Sequence, residues 1–422
     1  MKERTSEASS ASFTPEPLVQ DSAALAALCD RLRGEPWIAL DTEFMRTKTY
    51  RAGLCLIQAA TPDVIACIDP LAISDDVQGR TSPLRGGENR TAAGVTSAGM
   101  REAGQRREQL PRMTEAAIGP LLDLLYSPGV LKVFHSARQD LEVLADLRGA
   151  PPAPVFDTQI AAALAGYDDQ IGYGALVESI TGHKLPKLHT RADWEARPLA
   201  PELLHYAEDD VRYLRDVYLF LTQKLEALGR REWLTEECAA LTDAALYRND
   251  PREAWRRLRQ GQRLPLQTQV ILRELAAWRE SAAQSSNLPR SWVVADTTLV
   301  EMALAAPVSL EQLGGIEGIG GGAARKWGDD ILEAIRRGQA AAPERLWEEP
   351  TRPDREEQAR YQRIQTRVQA VAAEQGIKPT MLATRKDIQR LLEEPPSGPL
   401  TSGWRGRLFG DELLQMRAVV SD

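Results

Sequence analysis

Apolar and polar positions change their spacing several times along the chain, and each change marks an element. Leu25, Leu28, Cys29 and Leu32 recur at helical intervals, so residues 21–32 read as a helix that Ser22 caps. The Gly34-Glu35-Pro36 turn leads into Trp37-Ile38-Ala39-Leu40, a short apolar run ending in Asp41-Thr42-Glu43-Phe44, which reads as a buried strand. Strands over 54–59 and 64–69 follow, separated by Thr61-Pro62-Asp63, and their short links imply an antiparallel meander. Order then resumes with a helix over 115–126, a strand over 130–135 and a helix opening at Ser136. Past the Pro151-Pro152-Ala153-Pro154 turn come helices over about 158–165 and 173–181, then a long one over 201–225. Strands and helices alternate in this half, the α/β pattern.

Two stretches break the pattern. Residues 75–112 are dominated by Gly, Ser, Thr, Arg and Glu without periodicity, and read as a disordered insertion that cannot bury enough surface to offset its ordering entropy. The start, 1–17, reads as a flexible tail. Beyond 230 the chain turns helical: 230–263 as linkage, 264–342 as a small helical domain, and 353–422 as a second.

Composition narrows the function classes. A chain of 422 residues has room for two or three domains, and its net charge of −8 supplies no global field for nucleic acid. Nucleic-acid binding would need local basic patches or metal ions. The four cysteines are scattered without a C-x-x-C pair, which argues against a zinc module or disulfide framework and suits a cytoplasmic protein. No apolar run is long enough to span a bilayer, so no membrane partner is expected.

The candidate chemistry lies in acidic residues. Side chains alternate along a strand, so Asp41 and Glu43 share a face and repel each other unless a divalent cation with oxygen ligands lies between them. Asp140 sits in the first turn of the helix that follows the fourth strand. Tyr206 and Asp210 are four apart on a later helix and share its face. Residues 45–51 are polar and basic with one aromatic, and the polar loop 182–194 combines cationic and aromatic groups of the kind that grip phosphates and stack bases. The candidate nucleic-acid contacts on the two segments are Arg46, Lys48, Tyr50, Lys187, Arg191 and Trp194.

D-x-E on a first strand, an Asp opening a helix after a later strand and Y-x-x-x-D on a later helix together resemble the tyrosine-bearing branch of the DEDD exonuclease superfamily. The wording around these residues is similar to the ribonuclease D family: Asp41-Thr42-Glu43-Phe44, Lys48-Thr49-Tyr50, Leu54-Cys55-Leu56-Ile57-Gln58, Ile68-Asp69-Pro70-Leu71, Ala137-Arg138-Gln139-Asp140-Leu141-Glu142, Phe156-Asp157-Thr158-Gln159, Asp193-Trp194 and Arg197-Pro198-Leu199. The stretch 264–342 resembles the HRDC domain, and 353–422 resembles a second one. The insertion after Asp75 departs from the family's pattern, away from all four carboxylates in sequence.

The resemblance implies an α/β, RNase H-like exonuclease core with a mixed sheet over 18–229, followed by all-α HRDC bundles. It implies hydrolysis from single-stranded RNA 3′ ends, with release of 5′-mononucleotides, on substrates such as tRNA precursors, by a monomer. Residue by residue, Asp41, Glu43 and Asp210 match the ligands of one divalent ion, and Asp41 with Asp140 those of a second, magnesium or manganese. Tyr206 matches the group that orients the attacking water. Two other readings, a DNA 3′ exonuclease and an inactive RNA-binding scaffold, use the same fold.

Overall fold

The structure, a computed structural model, describes residues 15–77, 117–186, 192–347 and 354–418. The chain divides into two units, one of residues 1–45, 54–246 and 354–422, the other of residues 46–53 and 247–353.

In the first unit, α1 (Ser22–Leu32) is capped by Asp21, whose carboxylate accepts from the Ala24 amide at 2.8 Å. That corrects the expectation of a Ser22 cap by one residue. The strands β1 (Trp37–Met45), β2 (Gly53–Ala60) and β3 (Ile65–Ile68) follow. Next come α2 (Pro70–Val77), α3 (Gly119–Leu125), β4 (Leu131–Phe134), α4 (Arg138–Arg148) and β5 (Val155–Asp157). The sheet runs β3-β2-β1-β4-β5. β2 and β3 are antiparallel, whereas β4 lies parallel to both β1 and β5, with Ala39 opposite Val133 and Val133 opposite Phe156. Parallel pairing places the ends of β1, β4 and β5 on one rim, and α4 leaves from that rim. Within the expected N-terminal tail the Glu16 amide donates to the Ile65 carbonyl, and Val19, just after the tail, bridges to Ile68. Residues 1–14 and 78–112, the rest of the tail and of the expected insertion, lie outside the described residues.

The helices α5 (Thr158–Leu164), α6 (Tyr173–Thr181), α7 (Pro201–Arg212), α8 (Leu214–Ala227) and α9 (Arg231–Leu241) complete the layers. The single helix expected over 201–225 is two, divided at Tyr213. α7 buries Ala207 and Val211, and α8 buries Leu214, Val217, Leu221 and Leu225.

A 3₁₀ turn over Ala244–Tyr247 ends the first unit's middle stretch, and in the second unit 3₁₀ turns over Pro251–Arg257 and Arg259–Arg263 lead into α10 (Leu266–Ser286), α11 (Arg290–Val293), α12 (Asp296–Ala305), α13 (Leu310–Gly314) and α14 (Gly321–Ala340). The segment 46–53 belongs here as well. Tyr50 donates its phenol to Glu280 on α10, and Arg290 grips that buried carboxylate with two nitrogens at 2.5 and 2.7 Å.

The C-terminal helices α15 (Arg355–Gln375), α16 (Pro379–Leu382), α17 (Arg385–Leu392), α18 (Gly403–Phe409) and α19 (Glu412–Ala418) return to the first unit. Ile364, Val368, Leu391, Trp404 and Phe409 share one buried cluster with Val133, Phe156, Val217 and Leu221 of the sheet layer. Trp404 stacks on Trp233 at 4.3 Å and donates its indole N–H to Glu237 at 2.7 Å. Arg230 joins the Leu164 carbonyl, at 2.7 Å, to the Gln375 carbonyl, at 2.6 Å. Among the described residues no helix is long and apolar enough to cross a membrane.

Candidate active site

Asp41 and Glu43 project from the C-terminal half of β1, and alternation along the strand puts both on one face. α7 supplies the third carboxylate: Asp41, Glu43 and Asp210 each offer an oxygen, all within 4.8 Å of one another. Asp140, buried in the first turn of α4, stands beside this trio and accepts the Thr42 hydroxyl at 2.6 Å. The strand thus serves two directions at once, with Asp41 and Glu43 facing α7 and Thr42 reaching Asp140.

The electrostatics follow from burial and like charge. Desolvation first, then Asp140, Asp210 and Glu43, hold Asp41 well above the usual carboxylate range. Glu43 is pushed up to about 8, by burial and then by Asp210 and Asp140. Asp140 and Asp210 rise to about 7, chiefly through burial, although the Thr42 and Tyr206 hydroxyls respectively oppose the rise. Tyr206 points its phenol at Asp210 one turn on, and burial with the surrounding carboxylates raises its pKa. The charges that act on Asp41 and Glu43 are the other carboxylates of the cluster. Such an all-oxygen, mutually repelling set fits a hard divalent cation, which supplies the missing positive charge.

Among the described residues, the histidines stand apart from this cluster's chemistry. His135 bonds Thr158 Oγ1 at 2.9 Å, and burial lowers its pKa, so it is neutral. His183 stacks on Tyr213 at 4.5 Å, and His205 is exposed beside Glu208 and Asp209.

The expected RNA contacts fare differently. Trp194 is only 5 % exposed and packs with Cys55, Leu56, Cys67 and Leu199, so its ring has no face for a base. Tyr50 is half-buried, with its phenol on Glu280 and the Arg290 guanidinium over its ring at 4.7 Å, so it too is not a stacking platform. Arg46 and Lys48 are exposed. Lys187 and Arg191 lie outside the described residues. Reading the sequence for chemistry passed over Thr42, whose hydroxyl holds Asp140, and Tyr173, whose phenol donates to the Asp209 carbonyl at 3.1 Å beside the site. The signal for Thr42 was its place inside D-x-E; Tyr173 carried none.

Residues 17–226 match the 3′-5′ exonuclease domain family, and residues 268–335 match the HRDC domain. Ribonuclease D of Acidiphilium cryptum is 38% identical over 410 residues, covering 96% of this chain and 93% of its own. Ribonuclease D of Gluconacetobacter diazotrophicus is 37% identical over 418 residues, covering 97% and 94%. The crystal structure of Escherichia coli RNase D, described as an exoribonuclease involved in structured RNA processing, superposes with a TM-score of 0.74 at 29% identity, covering 96% of this chain and 98% of that one. A mixed sheet carrying D-x-E, a helix-borne Asp and Y-x-x-x-D at one rim, in a chain that matches this exonuclease family, defines a metal-dependent 3′-5′ exonuclease. RNA is its substrate, so the class is exoribonuclease. The chain belongs to the ribonuclease D family.

Proposed function

We propose that this exoribonuclease trims the single-stranded 3′ ends of tRNA precursors, as a cytoplasmic monomer, and that its site takes two divalent ions, magnesium or manganese. The convergence of Asp41, Glu43 and Asp210 within 4.8 Å, with Asp140 alongside, is the observation that carries the reading. In it, Asp41, Glu43 and Asp210 hold one ion, and Asp41 with Asp140 holds the other. When bound, the ions lower the pKa of the attacking water and offset charge on the leaving 3′ oxygen. Tyr206 orients the water through its phenol, which Asp210 fixes in place, and no histidine base is needed. The buried, free cysteines suit a reducing compartment.

The C-terminal helices are proposed as a second HRDC-like domain. α10 and α15 are each 21 residues long and end on a left-handed residue, Asn287 and Gly376. Each is followed by a four-residue helix, α11 or α16, that closes on an extended residue, Val294 or Ala383. Two successive stretches with the same backbone sequence of events support a duplicated module. Exposed Arg46 and Lys48, with Lys187 and Arg191, remain the proposed phosphate contacts.

The test is a tRNA precursor bearing a single-stranded 3′ trailer, compared with the same precursor whose trailer is annealed to a complementary strand. The expected result is stepwise loss of the free trailer and at least ~10-fold slower loss of the paired one. Equal rates would remove the single-stranded 3′ end from the reading.

A further inference from the structure

Asp140 can serve the site only if α4 leaves the sheet in the right direction, and three residues decide that direction. β4 ends at Phe134 and α4 begins at Arg138, so His135, Ser136 and Ala137 make the whole turn. Ser136 sits at φ 62°, the left-handed region that side-chain-bearing residues avoid. Such a turn persists only where its surroundings hold it.

The holder lies on the next strand. Asp157 ends β5 and is 3 % exposed. Its carboxylate accepts the Ser136 amide at 3.1 Å and the Ala137 amide at 2.8 Å, twenty residues back in the chain. The same carboxylate caps α5 through the Gln159 amide at 2.8 Å. Thr158 adds a stitch by donating to the Phe134 carbonyl at 3.0 Å and meeting His135 Nδ1 at 2.9 Å. A buried carboxylate satisfied by backbone amides on both sides is a rigid joint, because removing it takes the acceptor from all of those amides at once.

We propose that Asp157 is a positioning residue for Asp140: its carboxylate fixes the strained Ser136–Ala137 turn and thereby places Asp140 against the metal-binding trio. This rests on the reading that Asp140 holds a cation. Groups that orient metal ligands without touching the ion typically contribute ~10–100-fold to metal affinity.

The experiment titrates full-length protein with Mn2+ in the absence of RNA, counting bound ions and half-saturation by electron paramagnetic resonance, alongside thermal unfolding. The variants are Asp140→Asn as reference, Asp157→Ala, Asp157→Asn, and Asp157→Asn combined with Ser136→Gly. Asp140→Asn is expected to remove one bound ion. Asp157→Ala is expected to raise half-saturation for that ion at least ~10-fold, and Asp157→Asn, which keeps one acceptor oxygen, by less. Ser136→Gly should recover part of the loss in the Asn background, since glycine holds φ 62° unaided. If Asp157→Ala does not fold, the Asn variant and its Gly rescue decide the question. Asp157 variants that lower thermal stability with unchanged Mn2+ binding would overturn the proposal while leaving Asp140 as a ligand. An Asp140→Asn protein that binds the full complement of Mn2+ would instead overturn the ligand reading, and the role of Asp157 with it.

Discussion

Asp41, Glu43, Asp140 and Asp210 are held by the fold in a place where their ionised forms are unfavourable, and that sets a pH dependence with a definite sign. Their folded pKa values are raised, to about 7 or 8 where a figure applies, against ordinary values near 4. Stability from the protonated cluster is therefore complete below about pH 4 and is lost as pH rises through 7 and 8. In the proposed reading a divalent cation binds the ionised cluster, so its stabilising effect should grow over the same window. Thermal unfolding with EDTA and with Mn2+ at pH 6 and pH 8.5 checks this: the gap between the two midpoints is expected to be wider at pH 8.5. An equal gap would mean that the cluster is not where the ion binds. These residues were legible because alternation along a strand and a four-residue interval on a helix are local geometry. Trp194 and Tyr50 were misread because their partners, Cys67 and Glu280, are more than a hundred residues away, and composition alone reports only that an aromatic is near a cation.

Several elements owe their placement to buried polar joints. Asp69 is fully buried, caps α2 through the Leu71 and Ala72 amides, and takes the Arg197 guanidinium at 2.6 and 3.0 Å. Arg197 also donates to the Cys55 carbonyl on β2 and the Trp194 carbonyl, so it ties β2 and the loop ahead of α7 to the end of β3. The motifs Ile68-Asp69-Pro70 and Arg197-Pro198, read as family wording, are thus two halves of one structural contact. Arg197→Ala leaves the Asp69 charge buried and unpaired, and is expected to destabilise the first unit by about 3–5 kcal/mol in chemical denaturation. A loss below about 1 kcal/mol would show that the pair contributes little. The order of strands and most helices followed from apolar periodicity. The division at Tyr213 did not, because Leu203, Val211, Leu214 and Val217 keep a helical spacing across it.

The whole chain does not separate into an enzyme followed by detachable modules. Helices after Asp354 bury Trp404, Leu391 and Ile364 in the same cluster as Val133 and Leu221, whereas the segment 46–53, early in the sequence, belongs with the HRDC helices. Sequence order suggested linear domains because a chain is read from one end, and which apolar faces meet is settled by packing. Trp404→Ala is expected to cost about 3–5 kcal/mol and to lower the midpoint of the unit that contains the carboxylates, measured by hydrogen exchange on β4 and α8. Unchanged exchange there, with protection lost only after Asp354, would instead make the C-terminal helices an independent domain. Removal of nucleotides from RNA 3′ ends by four carboxylates and a divalent cation can be followed in a single time course. Wild type and Asp41→Asn are incubated with 5′-labelled single-stranded RNA in Mg2+, in Mn2+ and in EDTA. The expected result is a ladder that shortens from the 3′ end in a divalent cation, stops in EDTA and falls at least ~10³-fold in Asp41→Asn with its thermal midpoint kept. Cleavage that continues at the wild-type rate in EDTA or in the variant would contradict the account.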